Sequence, residues 1–361
     1  MLEHLTGCSD RLLQSFDTNK GIDLDVGDVM IRYSTDLIYT CFYRQPNLIE
    51  YDLNKKDYYS STIEKGLGDI YHPALEVSLS FPLLSPFLEF YMNKYNDFGA
   101  MKNKVIDFVK QQTVLNLQAR AELSQAKKTG TKVDLESVEL RDGQVYKRNM
   151  IDPFIDNYHD GKIGKTEYLH TSFFLLLAAV KTVADAMTRL LYYLAIHVEV
   201  QEKLRRSIKE EGLDSKYLGW CINEVLRLEP PAPIGSSRRL EQDFEVEGGV
   251  VPRGTFVQTA TYTIHRLPEY WGEDANQFRP ERWERANEFH PAQFIPFGGG
   301  LRGCPGKEFA MYDMRKVMQA ALLSRYKFER SSKTSDSGLF KSPLFIFLIH
   351  ESSIYIKISA L

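Results

Sequence analysis

Residues 294–310 read FIPFGGGLRGCPGKEFA. Three glycines in a row (Gly298, Gly299 and Gly300), followed by Arg302, Cys304, Pro305 and Gly306, make a loop of unusual backbone freedom. Such a loop can bend sharply and approach a flat ligand closely. Proline is favoured at the first position of a helix, so Pro305 predicts a helix starting directly behind Cys304. The free N–H groups and dipole of a helix start favour an anion, which makes a thiol placed there a candidate metal ligand in its thiolate form. Arg302 carries the planar fork that pairs bidentately with a carboxylate. Two chemistries suit this pattern: thiolate ligation of a metal, or a phosphate-binding turn with an incidental cysteine.

Three further segments carry groups of interest. Glu224 and Arg227 stand at i, i+3, on one face of a predicted helix. Alone, such a pair is commonly a solvated one worth tenths of a kcal/mol. Its weight comes from its place, ahead of a Phe278-Arg279-Pro280-Glu281-Arg282-Trp283 block and of Cys304. His265, within TYTIHRLPEYW, reads either as a ligand or base or as a structural polar residue; no second histidine or carboxylate pattern surrounds it. Ala178-Ala179-Val180-Lys181-Thr182-Val183 places small residues, a cation and a hydroxyl together on a stretch free of Pro and Gly.

The elements that must position these groups are mostly helical. Apolar spacing predicts helices over Leu5–Phe16, Val26–Tyr43 and Lys102–Lys128. Glu167–Ile196 can run as one helix of about eight turns, followed by Val198–Lys209 and Ser215–Leu228. The last of these is stopped by Pro230–Pro231. Then the period changes: Asp243–Val251 and Phe256–Thr263 alternate around Pro252–Gly254, which predicts a hairpin-like β region. A Gly- and Pro-rich loop runs to Cys304, an amphipathic helix spans Gly306–Arg325, and Leu339–Ile358 reads as short strands. Ser78–Tyr91, apolar with two prolines, reads as a buried irregular crossing or as a patch that dips into a membrane.

Composition narrows the class. The 361 residues carry 45 basic and 48 acidic side chains, a formal charge of −3, which gives no electrostatic footprint for nucleic acid. With 43% apolar and 26% charged residues the chain has ordinary globular usage, against long disorder or coiled coil. Four scattered cysteines form no disulfide framework, and neither a signal peptide nor an apolar run of membrane-spanning length is evident.

These segments together resemble the cytochrome P450 family of haem-thiolate monooxygenases. Its signature (Phe, two residues, Gly, one, Arg, one, Cys, one, Gly) is met without a mismatch at Phe297, Gly300, Arg302, Cys304 and Gly306. Ala310 stands where the family keeps a small residue packed on the haem. The resemblance implies haem b (iron protoporphyrin IX) with Cys304 as axial iron ligand. Phe297, Gly298, Gly300, Arg302, Gly306 and Ala310 would bind it on one side, and Ala178 and Ala179 would leave room on the other. It implies that Glu224, Arg227 and Arg282 form a buried charge triad holding the loop under the haem, with Trp283 where Phe is usual.

On the distal helix the family pattern is small, Gly, any, acid, Thr, Thr/Ser. The resemblance makes Thr182 a hydroxyl for bound dioxygen and proton relay, while Lys181 replaces the acid and Val183 the second hydroxyl. Lys181 reads as a cation for an anionic oxygen species or as a side chain turned to solvent, and Thr182 can alternatively bond back to its own helix.

The implied fold is mainly α with small β-sheets (α+β). It is a single domain over 1–361 that lacks the family's N-terminal anchor and first strands, and no WxxxR occurs ahead of residue 40. The implied reaction inserts one atom of O2 into a lipophilic small molecule. No GxGxxG follows a strand, so electrons are expected from a separate NADPH-dependent flavoprotein reductase, for which Lys307 and Arg315 are either docking charges or solvated surface. The expected location is the cytosolic face of the endoplasmic reticulum membrane. The alternatives are a thromboxane-synthase-like haem-thiolate isomerase of lipid peroxides, and an inactive truncated haem-binding product.

Overall fold

The computed structural model describes residues 2–43, 49, 51, 97–129, 137–141, 143, 145–323, 326–334 and 353–361. The Ser78–Tyr91 expectation and most of the Leu339–Ile358 one lie outside these residues. In chain order the elements are α1 (Leu2–Thr18), β1 (Asp23–Asp25), α2 (Val26–Tyr43), α3 (Asp97–Thr129), β2 (Ser137–Glu139), β3 (Val145–Lys147), α4 (Asp152–His159), α5 (Lys165–Ile196), α6 (Val198–Glu211) and α7 (Lys216–Leu228). Then come β4 (Arg238–Arg239), β5 (Phe244–Val246), β6 (Gly249–Val251), β7 (Phe256–Val257), the single turns α8 (Thr261–Ile264) and α9 (Pro268–Trp271), α10 (Lys307–Leu323), β8 (Tyr326–Arg330) and β9 (Tyr355–Ala360). The fold is mainly helical with small antiparallel sheets, and no described helix is long and apolar enough to cross a membrane.

The chain divides into two compact units. One comprises Met1–Leu12 and Ile31–Lys181, the other Leu13–Met30 and Thr182–Leu361. In the first, Phe108 of α3 packs edge-on against Tyr39 and Tyr43, centroids 5.0 and 4.8 Å away. Ala119, Val138, Leu140 and Tyr146 bury α3 against the β2–β3 hairpin. Asp152, fully buried at the start of α4, accepts from Asn116 Nδ2 at 2.9 Å and from the Tyr146 hydroxyl, which fastens helix to hairpin.

The second unit is built on the sheet β1-β9-β8. Alternation along β8 and β9 buries Tyr326, Phe328, Ile356 and Ile358, and Phe16 meets Tyr326 and Phe328 edge-on. Gln201 of α6 seals the sheet edge: its Oε1 accepts from the Phe328 N–H at 3.0 Å and its Nε2 donates to the Phe328 carbonyl at 2.9 Å. Ser215 caps α7, its hydroxyl accepting from the Leu218 N–H at 3.0 Å.

Two sequence expectations change in this unit. The hairpin turns at Glu247–Gly248, with Gly248 at φ +89°, and pairs Phe244 with Val251. A two-residue turn with a left-handed glycine matches strand twist, whereas Pro252 has no N–H to give a ladder. Phe256–Thr263 is strand only over β7, which pairs with β4; Thr261 onward coils into α8.

Candidate active site

The glycine loop folds as its composition demands. Gly298 and Gly300 take φ +69° and +61°, left-handed values that favour glycine. The chain turns through Gly300–Arg302 and closes when the Cys304 N–H donates to the Phe297 carbonyl at 2.8 Å. Helix α10 starts later than Pro305 predicts. Its first bond runs from the Ala310 N–H to the Gly306 carbonyl at 2.9 Å, leaving Pro305 ahead of the cap and Cys304 three residues before Lys307. Cys304 and Arg302 are exposed, and Phe297 and Ala310 are half-buried.

Beneath this loop in sequence lies a buried ionic knot. Glu224, wholly inaccessible, accepts from Arg227 through both Nε and Nη2 at 2.9 Å, and from Arg282 Nε at 2.8 Å. The remaining guanidinium protons go to carbonyls, apart from one that Arg282 Nη1 directs to the Asp274 carboxylate at 3.4 Å. Arg227 Nη1 donates to the His265 and Ala275 carbonyls at 2.8 and 2.6 Å, and Arg282 donates to the Trp271 and Asp274 carbonyls at 3.1 Å each. One helical carboxylate thus ties α7 to the chain from His265 to Trp283. The structure brings Glu224, Arg227 and Arg282 together.

Two further donors on Glu224 were not foreseen: the Trp283 indole N–H at 3.0 Å and the Arg279 backbone N–H at 2.9 Å. A buried indole N–H seeks an acceptor, and a Trp in the place of a Phe was the available signal for the first. No signal exists in sequence for a backbone donor.

On α5, Ala178, Ala179, Lys181 and Thr182 are half-buried while Val180 and Val183 are buried. The helix runs unbroken through them, with Ala178, Ala179 and Lys181 in the first unit and Thr182 in the second.

A profile of the family described as Cytochrome P450 matches residues 1–358. The chain belongs to the cytochrome P450 family. Cytochrome P450 3A9 of Rattus norvegicus is 28% identical over 296 residues, 78% of this chain and 54% of that protein. The putative cytochrome P450 CYP13A5 of Caenorhabditis elegans is 36% identical over 187 residues, 48% of this chain and 36% of its own. Cytochrome P450 3A13 of Mus musculus is 34% identical over 174 residues, 44% of this chain and 34% of its own. The chain therefore spans about a third to a half of the curated relatives it matches.

P450 proteins bind haem b, and the Cys304 loop fits that group. A side-chain carbon placed on Gly299 or Gly300 would meet nothing within 4 Å, and one on Gly306 would meet the Cys304 Sγ at 3.8 Å. The thiol thus stands on open backbone, where a flat macrocycle can come close. The other three cysteines are buried, and burial pushes the Cys8 and Cys221 thiols up, holding them neutral. Cys304 is the exposed one.

Two residues named from sequence have structural employment. Arg315 Nη1 donates to the Leu213 and Ser215 carbonyls at 2.9 and 3.0 Å, which spends it inside the unit rather than as a docking charge; Lys307 is exposed. His265, fully buried, accepts the Ile295 N–H on Nε2 at 2.9 Å and so anchors the approach to the glycine loop.

Burial pulls the His265 imidazolium down from 6.5 to about 4. Between those values the unfolded chain binds a proton that the folded chain refuses. This contribution is intact above about pH 6.5 and is lost as pH falls to about 4. The shift corresponds to ~3 kcal/mol. Urea titrations at neutral and acid pH should show this acid slope in the parent protein and its absence in His265→Gln.

Proposed function

We propose that this chain is the haem-binding part of a P450 monooxygenase, inserting one oxygen atom of O2 into a lipophilic small molecule. Its electrons come from a separate NADPH-dependent flavoprotein reductase at the cytosolic face of the endoplasmic reticulum membrane. The observation that carries the reading is an exposed Cys304 on a glycine-framed loop, its backbone held by Phe297 and tied through His265 to the Glu224 knot.

When bound, a thiolate-ligated haem supplies oxygen activation, because electron density pushed from sulfur favours O–O cleavage. The chain's own residues do the rest. Cys304 offers the sulfur, and Gly298, Gly300 and Gly306 keep side chains away from it. The exposed Arg302 guanidinium is available to a carboxylate on the cofactor rim. Ala178 and Ala179 keep the distal helix low-profile, and Thr182 offers a hydroxyl that can accept and pass on a proton.

Reductant-dependent turnover of a lipophilic substrate with a flavoprotein reductase tests the reading. Its failure in a protein with a normal thiolate spectrum would count against monooxygenation.

Lys181 favours a second reading. The family position that assists proton delivery with an acid holds a cation here, and isomerisation of a lipid peroxide needs neither that acid nor a reductase. Turnover of a lipid endoperoxide without reductant distinguishes the two. Under the monooxygenase reading, Lys181→Asp should raise the fraction of consumed O2 recovered as product several-fold at the expense of hydrogen peroxide. Unchanged coupling would remove Lys181 from the mechanism.

A further inference from the structure

Within the second unit the distal helix carries charges that the proposed reaction does not use. Thr182, Asp185 and Arg189 follow one another at steps of three and four, so they share one stripe of α5. Asp185 is buried and Arg189 is completely inaccessible. Tyr193, four residues further along the same helix, bonds Glu229, the C-cap of α7, itself buried. Its Oε1 accepts from Arg266 Nη2 at 3.0 Å and from the Tyr193 hydroxyl at 3.4 Å. Its Oε2 is buried without a hydrogen-bond partner.

The positive charge of Arg189 acts on Glu229, on Tyr193 and on Tyr262. Arg266 completes the cluster: it donates to the Leu228 carbonyl and lies 3.8 Å above the Tyr262 ring. Arg189 and Arg266 set two cations around the one buried Glu229 carboxylate.

This cluster joins three pieces that each carry part of the site. Arg189 and Tyr193 belong to the helix of Thr182, Glu229 to the helix of Glu224 and Arg227, and Arg266 follows His265. Attraction between buried unlike charges rises steeply as their separation falls, because the medium screens them poorly. A rotation or slide of α5 therefore changes the energy of this cluster.

We propose that Glu229 is a positioning residue for Thr182. Acting through its bond from the Tyr193 hydroxyl and the charge of Arg189, it fixes the rotation and axial seat of the second half of α5, and so the place of the Thr182 hydroxyl two turns before Arg189. The inference rests on the reading of Thr182 as the distal hydroxyl. Burial pushes the Glu229 carboxyl up while Arg266 and Arg189 oppose that shift, consistent with a carboxylate kept there by its cations.

The test uses haem-loaded wild type, Glu229→Gln, Thr182→Ala and the double variant, with two readouts. The first is the C–O stretching band of the reduced, carbon-monoxide-bound protein, which senses polar groups near the bound gas. The second is amide hydrogen exchange of residues 182–196. Glu229→Gln should shift the band and speed the exchange. In the Thr182→Ala background the band shift should vanish while the faster exchange persists.

An equal band shift in both backgrounds would show that Glu229 acts on something other than Thr182 and overturns the proposal, as does unchanged exchange. Arg189→Lys, which keeps the charge and loses the fork, is the second variant should Glu229→Gln fold poorly. It should move the band in the same direction, and an unmoved band overturns the proposal. A wild type that lacks the thiolate-type Soret band overturns the Cys304 reading instead, so the two failures are told apart.

Discussion

Cys304→Ser should abolish the thiolate-type Soret band of the reduced, carbon-monoxide-bound protein while leaving the fold intact. The expectation follows from where the four cysteines sit. Cys8, Cys41 and Cys221 are buried, and none can reach a ligand without unfolding its surroundings. Cys304 alone is exposed, on a loop closed by backbone groups: its N–H on the Phe297 carbonyl, and the Gly303 N–H on the Gly300 carbonyl at 3.1 Å. Those bonds survive the exchange of sulfur for oxygen. The unfolding free energy should stay within about 0.5 kcal/mol of the parent, the usual range for an exposed substitution. Loss of the spectrum without loss of stability identifies the ligand; a persistent band assigns the iron to another residue.

The largest effect on stability is expected at Glu224. Removing its carboxylate in Glu224→Ala takes the shared acceptor from two buried guanidinium groups, and leaves the Trp283 and Arg279 N–H groups without theirs. Breaking one member of a buried ionic cluster costs about 3–5 kcal/mol. Whole domains hold roughly 5–15 kcal/mol, so this change approaches the limit of folding. Denaturant unfolding of the haem-free chain measures the loss directly.

Neutralising the exposed Arg285–Glu288 pair, whose ends are 2.5 Å apart on the surface, should leave the midpoint near the parent value, because solvent screens both groups. A Glu224→Ala midpoint equal to the parent's would remove the knot as a structural requirement. Glu224→Gln keeps the shape but turns an amide N–H toward donors, and it should fall between the two.

Much of this protein was written in local chemistry. The absence of Pro and Gly over 167–196 specified α5, and the Pro230–Pro231 pair specified the end of α7. The spacing of Phe297, Gly300, Arg302, Cys304 and Gly306 specified the glycine-rich loop. Each depends on properties of neighbouring residues: backbone permissiveness, a missing N–H, helical periodicity. The errors arose where two local rules competed. Pro252–Gly254 looked like the hairpin turn, but Glu247–Gly248 offered the geometry that strand twist prefers. Pro305 looked like the first helical residue, but the first helical bond is made to Gly306.

Sequence alone determined the family-defining loop, the helices that flank it and the residue types of the triad, because their information lies within a few positions of one another. Only the tertiary structure decided how those residues are used. Five donors converge on Glu224, one of them a backbone N–H without any mark in sequence. Arg315 is spent on carbonyls, His265 serves as an acceptor for the Ile295 N–H, and the Tyr193 hydroxyl donates to Glu229 although 36 positions separate them. The physical reason is burial. A charge or N–H withdrawn from water must find its partner wherever packing brings one, and packing joins residues that no spacing rule connects.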